Sequence, residues 1–138
     1  MILDASGLLV FLDAHAQRRK DVDQLIETTT GPLLLSPFVL AEVDYLVTTR
    51  LGSGRSLRFL EDVAAGSYQL EPMASHDVGA ALTIMRRYRD LTIGLADASI
   101  VVLAERHGVG DILTFDQRHF RALTWGNGKP FRMLPADA

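Results

Sequence analysis

The chain of 138 residues contains no cysteine. That excludes disulfides, thiolate metal centres and a cysteine nucleophile, and it suits a reducing compartment. No apolar run approaches the roughly 18–20 residues that a membrane helix needs. No signal peptide is expected, because the first residue already opens a predicted strand, and a cytoplasmic place fits. There is no glycine-rich phosphate loop of the P-loop form and no Gly-x-Ser-x-Gly elbow. The histidines, His15, His76, His107 and His119, lack the spacing of metal ligands. They read as surface or helix-end residues, with His107 suited to the negative end of a helix dipole. Nor is there an excess of positive charge: the net charge is −3. Taken alone this argues weakly against a nucleic-acid partner. A carboxylate site would inflate the acid count, however, and the arginines cluster locally, as in Arg18-Arg19-Lys20 and Arg86-Arg87.

What is present is a globular composition, 48% hydrophobic and 22% charged. Residues 1–138 read as one domain with a single core. Short apolar runs predict strands at Met1–Leu3, Leu33–Leu35, Tyr68–Leu70, Ile112–Thr114 and Phe131–Leu134. Between them, helical spacing covers Ser6–Ala14, Gln17–Glu27, Leu57–Ala65, Ser75–Arg89, Leu95–His107 and Gln117–Leu123. A further helix starts at Ser36-Pro37, with serine at N-cap and proline at N1, and runs to about Leu51. Trp125–Pro130 reads as a loop, with Trp125 packed on the sheet edge, and the glycines read as helix stops and turns. Strands alternating with helices predict an α/β fold, three-layer α/β/α around a central, mostly parallel, short-stranded sheet.

Four acids stand out against that frame. Asp4 ends the first strand, and Asp116 comes two residues after Ile112–Thr114. Both fall at the carboxyl ends of strands, where open parallel sheets bind ligands. Helix capping explains each of these two equally well when taken singly. At about 100° per residue, Glu42 shares its helix face with Phe38, Val39, Tyr45 and Leu46, so it is expected on the buried stripe. Asp97 lies with Ile100, Val101 and Ala104 on an apolar side. An ion pair with an arginine, or a helix dipole, accounts for these two separately. Such explanations leave unexplained why all four face one region. Carboxylates gathered there hold Mg²⁺ or Mn²⁺ through oxygen, and such ions activate water against a phosphodiester.

The motifs Leu-Asp-Ala-Ser (3–6), Ala-Glu-Val-Asp-Tyr-Leu (41–46), Leu-Ala-Asp-Ala-Ser-Ile (95–100) and Leu-Thr-Phe-Asp-Gln-Arg-His-Phe (113–120) occur in this order. Together they resemble the PIN-domain ribonucleases, of the kind that serve as VapC toxins in bacterial toxin–antitoxin pairs. The resemblance implies that Asp4, Glu42, Asp97 and Asp116 are the catalytic, metal-binding acids, with Ser6 and Thr114 at polar supporting positions. It also implies Mg²⁺- or Mn²⁺-dependent cleavage of RNA, homodimerisation, and neutralisation by a small cognate antitoxin. Arg118 and Arg121 follow Asp116 and are candidates for contact with substrate phosphate, although an exposed short helix explains them too. Two other readings stand beside this one. A receiver-type phosphoryl-transfer domain is disfavoured because no Asp-x-Asp pair follows the first strand. A PIN-like module that binds RNA or protein without cutting is disfavoured by the complete acid set.

Overall fold

The computed structural model describes residues 1–138. Strands β1 (Ile2–Leu3), β2 (Leu34–Leu35), β3 (Gln69–Leu70) and β4 (Asp111–Leu113) pair in parallel, and β7 (Arg132–Leu134) joins β4 in parallel. The sheet order is β3-β2-β1-β4-β7. The strands are only two or three residues long, yet Ile2, Leu3, Leu35, Ile112 and Leu113 are fully buried. Burial on both faces of the sheet is why these runs are continuously apolar rather than alternating. The expected three-layer architecture is the observed one.

The helices that cover the sheet are α1 (Ala5–Leu12), α2 (Arg19–Thr28), α3 (Pro37–Leu51), α4 (Ser53–Ala64), α5 (Ser75–Arg87), α6 (Leu95–His107) and α7 (Gln117–Phe120). The α3 helix begins as the sequence suggests: Ser36 Oγ accepts the Phe38 N–H at 3.2 Å, with Pro37 following. In α6 every residue from Ala98 to Ala104 is buried, so this helix is a core element rather than an amphipathic cover. It packs against α5, α3 and β1. A buried hydroxyl contact, Ser36 Oγ to Ser99 Oγ at 2.7 Å, ties the start of α3 to α6.

Two local readings need correction. Residues 125–130 are not a simple loop: β5 (Thr124–Trp125) and β6 (Lys129–Pro130) form an antiparallel hairpin. The Trp125 indole N–H donates to Pro130 O, and its ring lies against Gly110. Gly7 is neither a helix stop nor a turn. A Cβ there would stand 2.6 Å from the carbonyl oxygen of Leu113. Its hydrogen lets the first turn of α1 lie directly on β4.

The strand order places a switch point between β1 and β4. The chain steps from β1 to β2 and β3 on one side, then to β4 and β7 on the other. Crevices at the carboxyl ends of such strands are where open α/β sheets bind ligands. Asp4 and Thr114, the residues that follow β1 and β4, sit side by side at that point.

Candidate acidic site at the sheet edge

Asp4 is the fixed member of the site, at 6% exposure. Its Oδ2 accepts from Ser6 Oγ and from Thr114 Oγ1, each at 2.7 Å. A hydroxyl carries one proton, so both are spent on Asp4 and none lies between the two hydroxyls, which stand 3.1 Å apart. As acceptors, Ser6 Oγ takes the Phe115 N–H at 2.9 Å and Thr114 Oγ1 takes the Asp116 N–H at 3.0 Å. Two relays therefore run from the backbone after β4, through a hydroxyl, to one carboxylate oxygen. They fix the loop that carries Asp116 relative to Asp4. Ser6 reaches across because Gly7 lets α1 sit so close to β4.

The four expected acids converge. Repulsion acts between Asp4 and Asp116, between Glu42 and each of them, and between Asp97 and all three others. That is every pair among the four. Burial pushes the Asp4 carboxyl above the ordinary range against the hydrogen bonds from Ser6 and Thr114. Glu42 is raised by partial desolvation, then by Asp4 and Asp116. Asp97 is pushed up to about 6, first by burial and then by Asp4, with His119 opposing. Like charges crowded together disfavour ionisation, and a bound cation reverses that effect.

Neither Asp4 nor Glu42 has a salt-bridge partner, so the arginine pairing considered for Glu42 does not occur. Glu42 is also not on the buried stripe. That stripe is Val39, Val43 and Val47, while Glu42 is exposed and its neighbour Tyr45 is 68% exposed. The residues around Glu42 misled the angular argument, because Tyr45 faces solvent and Phe38 and Leu46 are only half-buried. Asp116 does cap α7, accepting the His119 N–H at 3.3 Å, so capping and membership of the site coexist.

Sequence reasoning missed His119. Its Nδ1 lies 3.0 Å from Asp97 Oδ2 and 3.2 Å from Asp116 Oδ2. It stands in the last turn of α7, one of the two places expected for it, but it is not a surface residue: the side chain is 21% exposed and Nδ1 is shielded from water with no hydrogen-bond partner. The only available signal was its place three residues after a candidate acid, on one helical face with it. Of the two arginines, Arg121 is taken up by Asp137 through both terminal nitrogens, at 2.6 and 2.7 Å. Arg118 is exposed and has no carboxylate partner.

The donor set suits a hard divalent ion. As the side chains lie, no three histidine or acid groups close into a ready coordination sphere. Mg²⁺ does not require one, since it keeps several waters and takes one or two carboxylates directly. The largest cavity, about 690 Å³, is elsewhere: Met1, Pro32 and Asp111 line it at the amino ends of the strands. No helix is long and apolar enough to cross a membrane.

A family model described as PIN domain matches residues 1–125. The chain is 40% identical over 135 residues to Ribonuclease VapC26 of Mycobacterium tuberculosis, covering 98% of this chain and 100% of that protein. Among solved structures, VapC20 of M. tuberculosis, a toxin that cleaves the sarcin–ricin loop, superposes with a TM-score of 0.78. Identity there is 16%, over 84% of this chain and 89% of that one. A DNA-bound VapBC complex from Salmonella typhimurium gives 0.71 at 17% identity, over 96% of each chain. A toxin–antitoxin complex from Klebsiella pneumoniae gives 0.65 at 16% identity, over 88% of this chain and 91% of that one. At such identities these structures bear on the fold alone.

Proposed function

The chain belongs to the PIN-domain family, among its VapC-type ribonucleases, and on that premise we propose how its acids cut RNA. It is an endoribonuclease, the toxin of a toxin–antitoxin pair, and its single domain spans residues 1–138. The observation that carries this reading is the mutual repulsion of all four carboxylates, with His119 the one basic side chain against them. Four acids held together without compensating cations are costly unless a ligand repays them.

Asp4, Glu42, Asp97 and Asp116 would hold Mg²⁺ or Mn²⁺. Bound there, the ion supplies a water of lowered pKa and offsets charge on the phosphate. Asp4 is the anchor, because Ser6 and Thr114 deny it any other orientation. Asp97 enters from the first turn of α6, and Glu42 from the exposed side of α3. Asp116 is placed by its own N–H on Thr114. Arg118, exposed and without a carboxylate partner, stands free to take a backbone phosphate. The antitoxin and a second copy of the chain are the protein partners. Exposed apolar residues such as Tyr45, Leu57, Val78 and Leu82 offer them contact area.

The test is cleavage of total RNA by the purified chain with Mg²⁺, with Mn²⁺ and with excess chelator, reading the new 5′ ends by sequencing. Ion-dependent cuts at discrete positions are expected. Full activity in chelator, or binding of RNA without cleavage across both ion titrations, would overturn the reading.

A further inference from the structure

The geometry points to His119 as a positioning residue of the acid cluster, holding Asp97 and Asp116 in the arrangement that receives the divalent ion without itself ligating it. This rests on the metal-dependent reading above and deepens it. Asp97 comes from α6 and Asp116 from the cap of α7, and no hydrogen bond joins the two helices at this point. His119 is what spans them. Its ring contacts both carboxylates through Nδ1, at 3.0 and 3.2 Å. Its backbone N–H holds the other oxygen of Asp116, Oδ1. One residue thus holds one oxygen of Asp116 through its backbone and sets its ring nitrogen beside the other and beside Asp97.

The state of Nδ1 supports this role. It is shielded from solvent and touches two carboxylates, yet neither oxygen is in line for a hydrogen bond. Such an atom has a partner within a small rotation, and the half-buried carboxylates of Asp97 and Asp116 are free to make it. Asp4, pinned by two hydroxyls, is not. Carboxylate and water oxygens suit Mg²⁺ and Mn²⁺, whereas imidazole suits softer ions such as Zn²⁺ or Cu²⁺, which separates this role from direct ligation. Hydrogen-bonded partners of metal-binding carboxylates change affinity about 10–100-fold when removed.

The experiment measures Mn²⁺ binding to the full chain without RNA, from the electron paramagnetic resonance signal of free ion, for wild type, His119→Ala, His119→Asn and His119→Gln. The asparagine amide places a nitrogen where Nδ1 lies, and the glutamine amide places it where Nε2 lies. Expected are a loss of about 10–100-fold in His119→Ala, a comparable loss in His119→Gln, and recovery of most of the affinity in His119→Asn. Should the alanine variant fail to fold, the two amides carry the comparison. The ion-loaded wild type should show no coordinated ¹⁴N by pulsed resonance. Unchanged affinity in His119→Ala, equal affinity in the two amides, or a coordinated imidazole nitrogen would each overturn the proposal. Failure of the wild type to bind Mn²⁺ at all would instead remove the metal reading beneath it.

Discussion

Glu71 and Asp77, like Asp4 and Asp97, are acids drawn largely out of water, but their surroundings are opposite. Arg106 lies 3.0 Å from Asp77 and 3.5 Å from Glu71. Glu71 also meets His107 Nε2 and accepts from Gln69 at 3.0 Å. Asp77 accepts the Ala74 N–H at 2.8 Å and so caps the start of α5. Burial pushes Glu71 up, yet the bonds from Gln69, His107 and Arg106 outweigh it and leave the carboxyl below its ordinary range. Asp77 is lowered chiefly by the Ala74 N–H. Around Asp4, Glu42 and Asp97 the direction is reversed for every acid that moves. Both clusters tie distant segments together. One is neutralised by the chain itself and needs nothing further; the other is left to be neutralised from outside. The difference between them, rather than burial or acid count, is the ground on which the unpaired cluster is proposed as the working site.

The sharpest way to break this comparison is to remove one acid from each cluster. Asp4→Asn should reduce ion-dependent RNA cleavage by more than about a hundredfold, since even outer partners of a metal site cost 10–100-fold. Its melting temperature in chelator should hold or rise, because one member of a repulsive set is gone. Asp97→Asn should behave in the same way. Residual cleavage near the wild-type rate in either would show that the unpaired cluster is not the working one.

Next in size is the converse change. Arg106→Met leaves Glu71 and Asp77 without their shared cation and should lower the urea midpoint of unfolding. Cleavage by the folded variant should stay at the wild-type rate. Lost activity with unchanged stability would invert the assignment of the two clusters.

A third test sets the clusters against each other on one pH axis, with chelator present. A carboxyl whose pKa rises on folding takes up a proton as the chain folds. Asp97, moved from 3.8 to about 6, should therefore make stability fall as pH rises from about 4 to 6. Glu71 and Asp77 are lowered, so their contribution is present above their ordinary values of 4.5 and 3.8 and fades as pH falls through the lower folded-state values. Asp97→Asn should make the limb between pH 4 and 6 shallower, leaving the shares of Asp4 and Glu42, and leave the acid limb alone. Saturating Mn²⁺ should make the same limb shallower in the wild type. A limb of unchanged slope in Asp97→Asn would show that Asp97 does not titrate as its surroundings require.

The acids themselves were legible in the sequence, because each sits in a short motif and two follow strands at the binding edge. Most of the strand and helix order was legible too: the buried strands β1, β2, β4 and β7 read as apolar runs even at two or three residues. The start of α3 at Ser36-Pro37 follows from local chemistry alone. What could not be read depends on contacts between distant segments. His119 acquires its role only when α6 brings Asp97 beside the cap of α7. Gly7 looks like any other glycine until β4 lies against it. Glu42 shows the limit of angular reasoning, since Tyr45 on the same side is apolar in part and yet exposed. The hairpin of β5 and β6 escaped because its turn contains two glycines, Gly126 and Gly128, and its strands are two residues each.

The smallest expected effect extends the comparison to the basic side chains. Arg121 gives both terminal nitrogens to Asp137, whose carboxyl is held down to about 2, while Arg118 has no acidic partner. If unpaired charge marks the working surface for cations as it does for acids, Arg118 is the phosphate contact and Arg121 braces the C-terminal turn. Binding of RNA to the Asp4→Asn protein, measured at several salt concentrations, separates them. Arg118→Ala should weaken binding a few-fold and lower the salt slope by about one phosphate contact. Arg121→Ala should leave both unchanged and loosen the turn that Asp137 holds through the Met133 N–H. Equal loss from the two variants would mean that the pairing of Arg121 yields to RNA, and that for exposed arginines a partner in the folded chain is no sign of a structural role.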